Sequence, residues 1–224
     1  MEIQKKNNYQ VLRISYDQTK PFILDIHYAK RMPSITYSFG LYLQNELVGV
    51  VTYGSPASQS LCRGIAGDDY KKIILELNRL VLKNNIKNEA SFLVSNSFKQ
   101  LPKPSIIVSY ADTSHNHTGY IYQATNFIYT GLSDKRTEWS MKNTNKHSKT
   151  ICEQYTLEER KNNPDKFEVI NRPRKHRYIY FIGNKKDKKT FINKLKYPIY
   201  KYPKFDNKNY LTDTNIQTQR LLIL

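Results

Sequence analysis

Residues 105–127 read SIIVSYADTSHNHTGYIYQATNF, and the way this stretch folds decides the architecture. The run 105–110 is almost continuously apolar, as a strand buried on both faces must be. It ends in an acid, Asp112, and a short polar loop carries His115 and His117. Beyond Gly119 the aromatic-rich segment 120–127 reads as a helix. A buried strand passing directly into a helix belongs to a mixed α/β protein.

Working outward, 11–16 alternates apolar and polar residues and reads as a short strand. The segment 20–32, KPFILDIHYAKRM, has a proline near its start and reads as a helix stopped by Pro33. Segments 36–44 and 47–53 flank Asn45-Glu46 and form a hairpin. GSPASQSLCRGIAGDD, 54–69, reads as a Gly/Ser/Pro-rich loop, and LELNRLVL, 75–82, as a central strand. Asn88 opens a helix through Phe98, with Pro102 and Pro104 beyond it, and 128–132 and 137–141 are expected to close the sheet. This order of elements resembles that of the N-acyltransferase (GNAT) superfamily. The expected fold class is therefore α/β: a GNAT-like mixed central sheet flanked by helices, with a basic C-terminal extension.

The 224 residues carry 36 Lys/Arg against 19 Asp/Glu, a net charge of +17. Over 140–210 the count is 19 basic to 7 acidic, so +12 of that excess lies in one third of the chain. The expected organisation is a GNAT-like core, 1–141, and a basic, Tyr-rich extension, 142–224, packed on the core and contacting nucleic acid. Within it, NRPRKHRYIYFIGNKKDKKTFINKLKYPIYKYPK interleaves cations with aromatics, with a strand at 175–182 and a basic helix at 185–196. Basic residues serve phosphates, and tyrosines stack on exposed bases. Segregation of one sign of charge favours a nucleic-acid partner over mere solubility. Cys62 and Cys152 are far apart with no CxxC pair, against a zinc knuckle or disulfide scaffold. No apolar run reaches the about 18 residues of a membrane span, and the first ten residues lack a signal peptide's apolar stretch, so a cytoplasmic protein is expected.

Asp112, His115 and His117 crowd three ligand types into six positions, with His27 as a distant fourth, which makes a metal site one reading of the loop. A satisfied polar turn is the other. The serine-hydrolase elbow GxSxG is absent, and nothing marks Cys62 as a lowered-pKa nucleophile. A conventional acetyl-CoA cradle is not evident: the segment after the fourth strand, KNNIKNEAS, contains no glycine, and backbone amides approach a pyrophosphate only where side chains are missing. Tyr53 and Asp112 stand at the carboxyl ends of strands, where ligands gather in open α/β sheets, and Tyr122 sits one turn into the next helix.

HYAKRMPS (27–34), GVVTYGSPAS (49–58), LNRLVL (77–82) and SYADTSHNHTGYIYQATNF (109–127) together resemble the Mom family of phage DNA-modification proteins. The resemblance covers roughly 20–140 and, weakly, the basic tail. It implies a divergent GNAT-like fold and conversion of adenine in DNA to N6-carbamoylmethyladenine, which shields a phage genome from restriction. His27, Tyr28, Asp112 and Tyr122 match the family's HY, SYAD and IYQA residues and are the catalytic candidates. Tyr53, Ser91, Ser97 and His117 are assigned to the pocket for substrate or cofactor. Arg31, Lys142, Arg172, Arg174, Lys175 and Arg177 are the candidate contacts to double-stranded DNA. The resemblance also implies iron as a candidate cofactor, with His27, Asp112 or a tyrosinate as ligands, while His115 is an extra of this sequence. Asp112 would accept the proton leaving N6 or orient His27 to do so, and the aromatics would hold a flipped adenine. The group donor and the oligomeric state are not legible. The rival expectations are a non-catalytic DNA-binding protein on a transferase-like fold, and an acyltransferase acting on RNA or protein.

Overall fold

The computed structural model describes residues 8–203 other than 85, 145 and 147. The end of the expected extension, 204–224, lies outside the described residues, as does the side chain of His115. Seven strands form one sheet: β1 (Tyr9–Arg13), β2 (Tyr37–Leu43), β3 (Glu46–Gly54), β4 (Ile74–Leu82), β5 (Ser105–Asp112), β9 (Lys175–Ile182) and β6 (Ile128–Leu132), in that spatial order. Every neighbouring pair is antiparallel except β4 and β5. A second, two-stranded sheet pairs β7 (Arg136–Met141) with β8 (Phe167–Arg172). The expected mixed central sheet flanked by helices is the architecture found.

One face of the sheet buries Phe39, Leu41, Val51, Tyr53 and Ile107 under Leu93, Val94 and Phe98 of helix α3 (Glu89–Ser97) and its end. The other face buries Ile106, Val108 and Ile179 against Cys62 and Ile65 of a further helix and Phe191 of a last one. With apolar residues on both faces, β5 has Ile106, Ile107 and Val108 fully buried, as its composition requires.

Four sequence expectations are corrected. The first helix is not 20–32 but α1 (Tyr16–Pro21), continued by one π-helical turn, Phe22–Ile26. Its start is set by a capping box, Ser15 with Gln18, upstream of the proline. The helical turns end at Ile26, so His27 and Tyr28 stand on a loop. The expected loop 54–69 contains α2 (Gln59–Ala66), capped by Ser58 and burying Cys62, Ile65 and Ala66 at helical spacing. The hairpin turns on Gln44-Asn45, both at positive φ, one residue earlier than expected. Segment 137–141 does not close the main sheet: β7 pairs with β8, and α5 (Ser148–Gln154) lies against β7 and α6 (Leu157–Asn162) against β8.

The strand expected at 175–182 forms, yet it does not merely pack on a core. β9 hydrogen-bonds along the whole of β5 and then along β6, which caps the sheet. The basic segment is therefore threaded through the central sheet. A final helix, α7 (Lys185–Lys194), capped by Asn184 and Asp187, covers it. Helix α4 (Tyr120–Ala124) connects β5 to β6. Among the described residues no helix is long and apolar enough to cross a membrane.

The functional geometry follows from one irregularity. β4 and β5 pair only over Ile74–Glu76 and Ile106–Val108. Beyond Glu76, β4 follows β3 to Leu82 while β5 follows β9 to Asp112. The two strands diverge, and the gap between them becomes a cleft.

Candidate active site

The cleft has a volume of about 800 Å³, within the size range of small-molecule sites. Glu76, Asn78 and Arg79 of β4 line it on one side, and Tyr110 and Asp112 of β5 on the other. His27 and Tyr28 arrive from the loop after the π turn, His117 to Tyr122 from the β5–α4 connection, and Lys175 and Arg177 from β9. Four separate segments of the resemblance thus meet in one place: HY, LNR, SYAD and IYQA.

Asp112 is fully engaged. One carboxylate oxygen accepts from the Ser114 backbone N–H at 3.0 Å and from the Ser114 hydroxyl at 2.7 Å. The other meets Lys175 Nζ at 2.9 Å, directly across the β5–β9 register. Burial pushes its pKa up, but the bonds from Lys175 and Ser114 outweigh burial and hold it below the usual carboxylate range. A carboxylate so held is a weak proton acceptor. Glu76 behaves oppositely: burial raises its pKa, and Lys175, the Ala57 backbone and Arg79 lower it without cancelling that effect. Two cleft carboxylates are thus driven apart by their surroundings, the pattern that separates a proton-handling acid from a fixed charge.

Tyr122 packs its ring 5.2 Å from both Phe127 and Tyr178. Burial pushes its hydroxyl up to about 12, opposed by a hydrogen bond with Ser109. Ser109 in turn donates to the Leu77 carbonyl at 2.8 Å, tying β5 to β4 where their backbone pairing has ended. Tyr28 stacks on His27 at 4.3 Å and meets His117 edge-on at 6.2 Å. His27 Nδ1 accepts from the Ala29 N–H at 3.0 Å. Arg79 donates to the carbonyls of Asn78 (2.7 Å) and Arg31 (2.9 Å), and burial lowers its pKa. Its Nε is buried without a hydrogen-bond partner. Asn78 bonds the Ser34 carbonyl at 2.7 Å, and that carbonyl passes so close to Gly54 that any side chain there would collide with it.

Other expected residues lie elsewhere. The Tyr53 hydroxyl and Ser97 Oγ are 2.6 Å apart, both fully buried beneath α3 and outside the cleft lining, and burial raises the tyrosine's pKa. Ser91 donates to the Asn88 carbonyl within α3. Ser97 serves the fold, where the apolar sheet face leaves no water for a hydroxyl, while Ser91 is half-exposed and outside the cleft lining. Among the candidate DNA contacts, Arg172, Lys175 and Arg177 line the cleft, and Arg31 and Lys142 are exposed and outside its lining. Arg174 is spent on the Ser133 carbonyl at 2.6 Å. Arg177 is buried, bonded to Thr130 and stacked 3.3 Å from the Tyr197 ring centroid, so it clamps β6 to β9. Sequence reasoning missed Glu76, Arg79, Arg136 and Tyr120. The signal for the first two was present: LELNRLVL places an acid, an amide and a guanidinium among apolar residues of one strand, and charged groups are rarely fully buried unless paired. Arg136 faces Arg172 across the β7–β8 register, placing two cations side by side on the cleft rim.

The residues present do not fit the iron that the resemblance implies. Among the described residues no three His, Cys, Asp or Glu side chains converge. Both Asp112 oxygens are taken, one by Ser114 and the other by Lys175. The start of α3, where a phosphate cradle would be needed, holds its own acid: Glu89 is buried, accepting from the Ile86 N–H at 3.2 Å and the Tyr9 hydroxyl at 2.6 Å.

The family model of the Mom protein family matches residues 8–204. The chain is 28% identical over 188 residues to the methylcarbamoylase mom of Escherichia phage Mu, covering 80% of this chain and 76% of that protein. Among solved structures it is similar to the Arabidopsis thaliana acetyltransferase NAA60 in complex with acetyl-CoA, at 13% identity and a TM-score of 0.47, covering 78% of this chain and 98% of that one. It is also similar to an N-acetyltransferase from Staphylococcus aureus, at 12% identity and a TM-score of 0.45, covering 78% and 99%.

Proposed function

Since this chain belongs to the Mom protein family, we propose that it is a transferase that modifies DNA, placing a carbamoylmethyl-type group on N6 of adenine and so protecting the DNA from restriction. The observation that carries this reading is the convergence of the HY, SYAD and IYQA residues on one cleft whose rim holds Arg136, Arg172 and Lys175. The relative from phage Mu is named a methylcarbamoylase.

N6 is a weak nucleophile because its lone pair is delocalised into the ring, so its proton must leave as the new bond forms. The donor is a carbon electrophile with a leaving group: the N6–C bond forms, the bond to the leaving group breaks with its electron pair, and one N6 proton goes to the protein. Glu76 takes that proton, since it is the cleft carboxylate whose affinity for protons is raised. Asp112 stays ionised and aims Lys175 at the negative charge of phosphate or leaving group. Tyr28 and Tyr122, both on the cleft lining, hold the ring and donate to acceptor atoms of adenine or donor. N6 is base-paired in a duplex, so the nucleotide leaves the stack to reach Glu76. The glycine-free, Glu89-filled start of α3 favours a donor other than a conventionally cradled coenzyme A ester.

Mass spectrometry of nucleosides from DNA of cells expressing the chain tests this. A deoxyadenosine adduct is expected. Unmodified DNA together with salt-sensitive DNA binding would instead identify a non-catalytic binder on a transferase-like fold.

A further inference from the structure

Arg177 is only 7% exposed, yet it lines the cleft. A guanidinium is always charged, and a buried charge is costly unless one of opposite sign meets it. Its partners in the fold are neutral. Nε donates to the Thr130 hydroxyl at 3.0 Å and Nη2 to the Thr130 carbonyl at 3.2 Å, and the Tyr197 ring lies over the guanidinium carbon at 3.3 Å. Among the described residues no carboxylate pairs with it: Asp112 is held by Lys175, while Glu138 and Asp134 meet Arg172 and Arg136. The third nitrogen, Nη1, has no hydrogen-bond partner among the described residues and is not sealed from solvent.

Tyr110 stands opposite Arg177 in the β5–β9 register and also lines the cleft. Residues opposite each other in an antiparallel pair share one face of the sheet. The Tyr110 hydroxyl likewise has no hydrogen-bond partner among the described residues, although the residue is half-buried. The pair is firmly backed. Tyr197 rests on α2, where Gly64 leaves room for its hydroxyl, and the neighbouring Lys196 N–H donates to the Ile65 carbonyl at 2.9 Å.

From this geometry, and resting on the DNA-modifying reading above, we infer that Arg177 and Tyr110 form an anion subsite that binds the carboxylate or phosphate of the group donor. Both groups offer a donor hydrogen to the cleft, and the planar guanidinium suits the oxygens of either anion. Clamping β6 to β9 calls for hydrogen-bond donors but not for an unneutralised charge, and a bound anion supplies the missing opposite sign. The DNA backbone is met elsewhere. The side chains of Arg136 and Arg172 on the rim are 69% and 46% exposed, whereas Arg177 is reached only by a molecule that enters the cleft.

The test uses the purified full chain, with sodium phosphate and sodium acetate as probes at an ionic strength held constant by chloride. Saturable stabilisation by at least one probe is expected in thermal melts, acetate marking a carboxylate site and phosphate a phosphate site. Tyr110→Phe removes one oxygen and should weaken that binding about tenfold, as loss of one hydrogen bond to a charged group implies. Arg177→Lys keeps the charge, loses the fork and should weaken it as well. Tyr110→Phe should bind duplex DNA as wild type does. Arg136→Gln with Arg172→Gln should show the reverse, weakened DNA binding with the probe unaffected. No saturable binding of either probe, or binding unchanged in Tyr110→Phe, would overturn the subsite. A loss of duplex affinity in Tyr110→Phe would also overturn it, by assigning the pair to the DNA backbone. Adduct analysis keeps the two ideas apart. Probe binding that depends on Tyr110 in a chain that leaves no adduct sinks the reaction and keeps the subsite, whereas adducts from a chain that binds neither probe sink only the subsite.

Discussion

Replacing Glu76 by Gln should lower activity and raise stability together. Gln keeps the size of the side chain and an oxygen for the Ala57 N–H, but it cannot take a proton. Loss of a general base typically costs about 10²- to 10⁴-fold, so adduct per deoxyadenosine should fall by at least about 100-fold. The stability effect follows from the sign of the pKa shift. The folded pKa of Glu76 lies above its ordinary value because burial disfavours the charge. The stability linked to this group is therefore complete below the ordinary carboxylate pKa and is lost as pH rises through the raised folded value. Above that raised value the wild-type chain carries a half-buried charge that Gln removes, and the gain there should be about 0.5–2 kcal/mol, the usual yield of one stabilising substitution. For a chain of this size that corresponds to roughly 2–4 °C per kcal/mol in Tm. Thermal melts at neutral and acidic pH should show the advantage of Gln shrinking on acidification, as wild-type Glu76 becomes neutral too. Adduct formation at the wild-type level would refute the role in proton transfer. A neutral-pH Tm below wild type would refute the electrostatic reasoning.

Other substitutions separate the remaining roles. Asp112→Asn should cost about 1.5–3 kcal/mol, the worth of hydrogen bonds to a charged group, and abolish the adduct by freeing Lys175. Because the Asp112 pKa is lowered on folding, its stability is present above the ordinary carboxylate pKa and disappears as pH falls through the depressed one. The variant should thus melt less differently from wild type in acid than at neutral pH, and a constant difference would count against the Lys175 bridge. Tyr53→Phe breaks the bond to Ser97, whose hydroxyl still donates to the Val94 carbonyl at 2.8 Å. A loss of about 1 kcal/mol with normal adduct per folded molecule is expected, and adduct loss without destabilisation would return Tyr53 to the site. Arg136→Glu with Arg172→Glu should weaken binding to all DNA sequences and flatten the salt dependence by roughly 0.9 in log–log slope for each phosphate no longer neutralised. An unchanged slope would remove the rim from the interface.

The sheet and most of its strands were legible because their residues obey simple periodicities: the hairpin, the buried 105–110 run and the strand at 175–182 all formed. Boundaries that depend on a single cap were not. Ser15 starts a helix at the end of a segment whose alternation reads as a strand, and Ser58 starts one inside a segment whose prolines and glycines read as a loop. The place of β9 was hidden for another reason: its cations and tyrosines looked like a surface, yet Tyr178 and Ile179 are fully buried and His176 nearly so. At the site, the motif residues His27, Tyr28, Asp112 and Tyr122 do gather in the cleft. What the motif could not say is that Asp112 is held as a fixed charge, because that depends on a partner 63 residues away across the β5–β9 ladder, Lys175. Tyr53 and Ser97 looked equally functional in the motif and turned out to satisfy each other in the core.

The threading of β9 between β5 and β6 has a consequence for when this protein can act. On the ribosome, the HY, LNR, SYAD and IYQA segments all emerge before residue 175. Until β9 follows, β6 has no neighbour in the sheet, Asp112 has no lysine and Gly119 has no Tyr178 ring against it. Contacts of such long sequence separation form late and slowly. A nascent or prematurely terminated chain would thus carry every motif residue and remain chemically silent, so that an activity directed at genetic material would switch on only after the last central strand is in place.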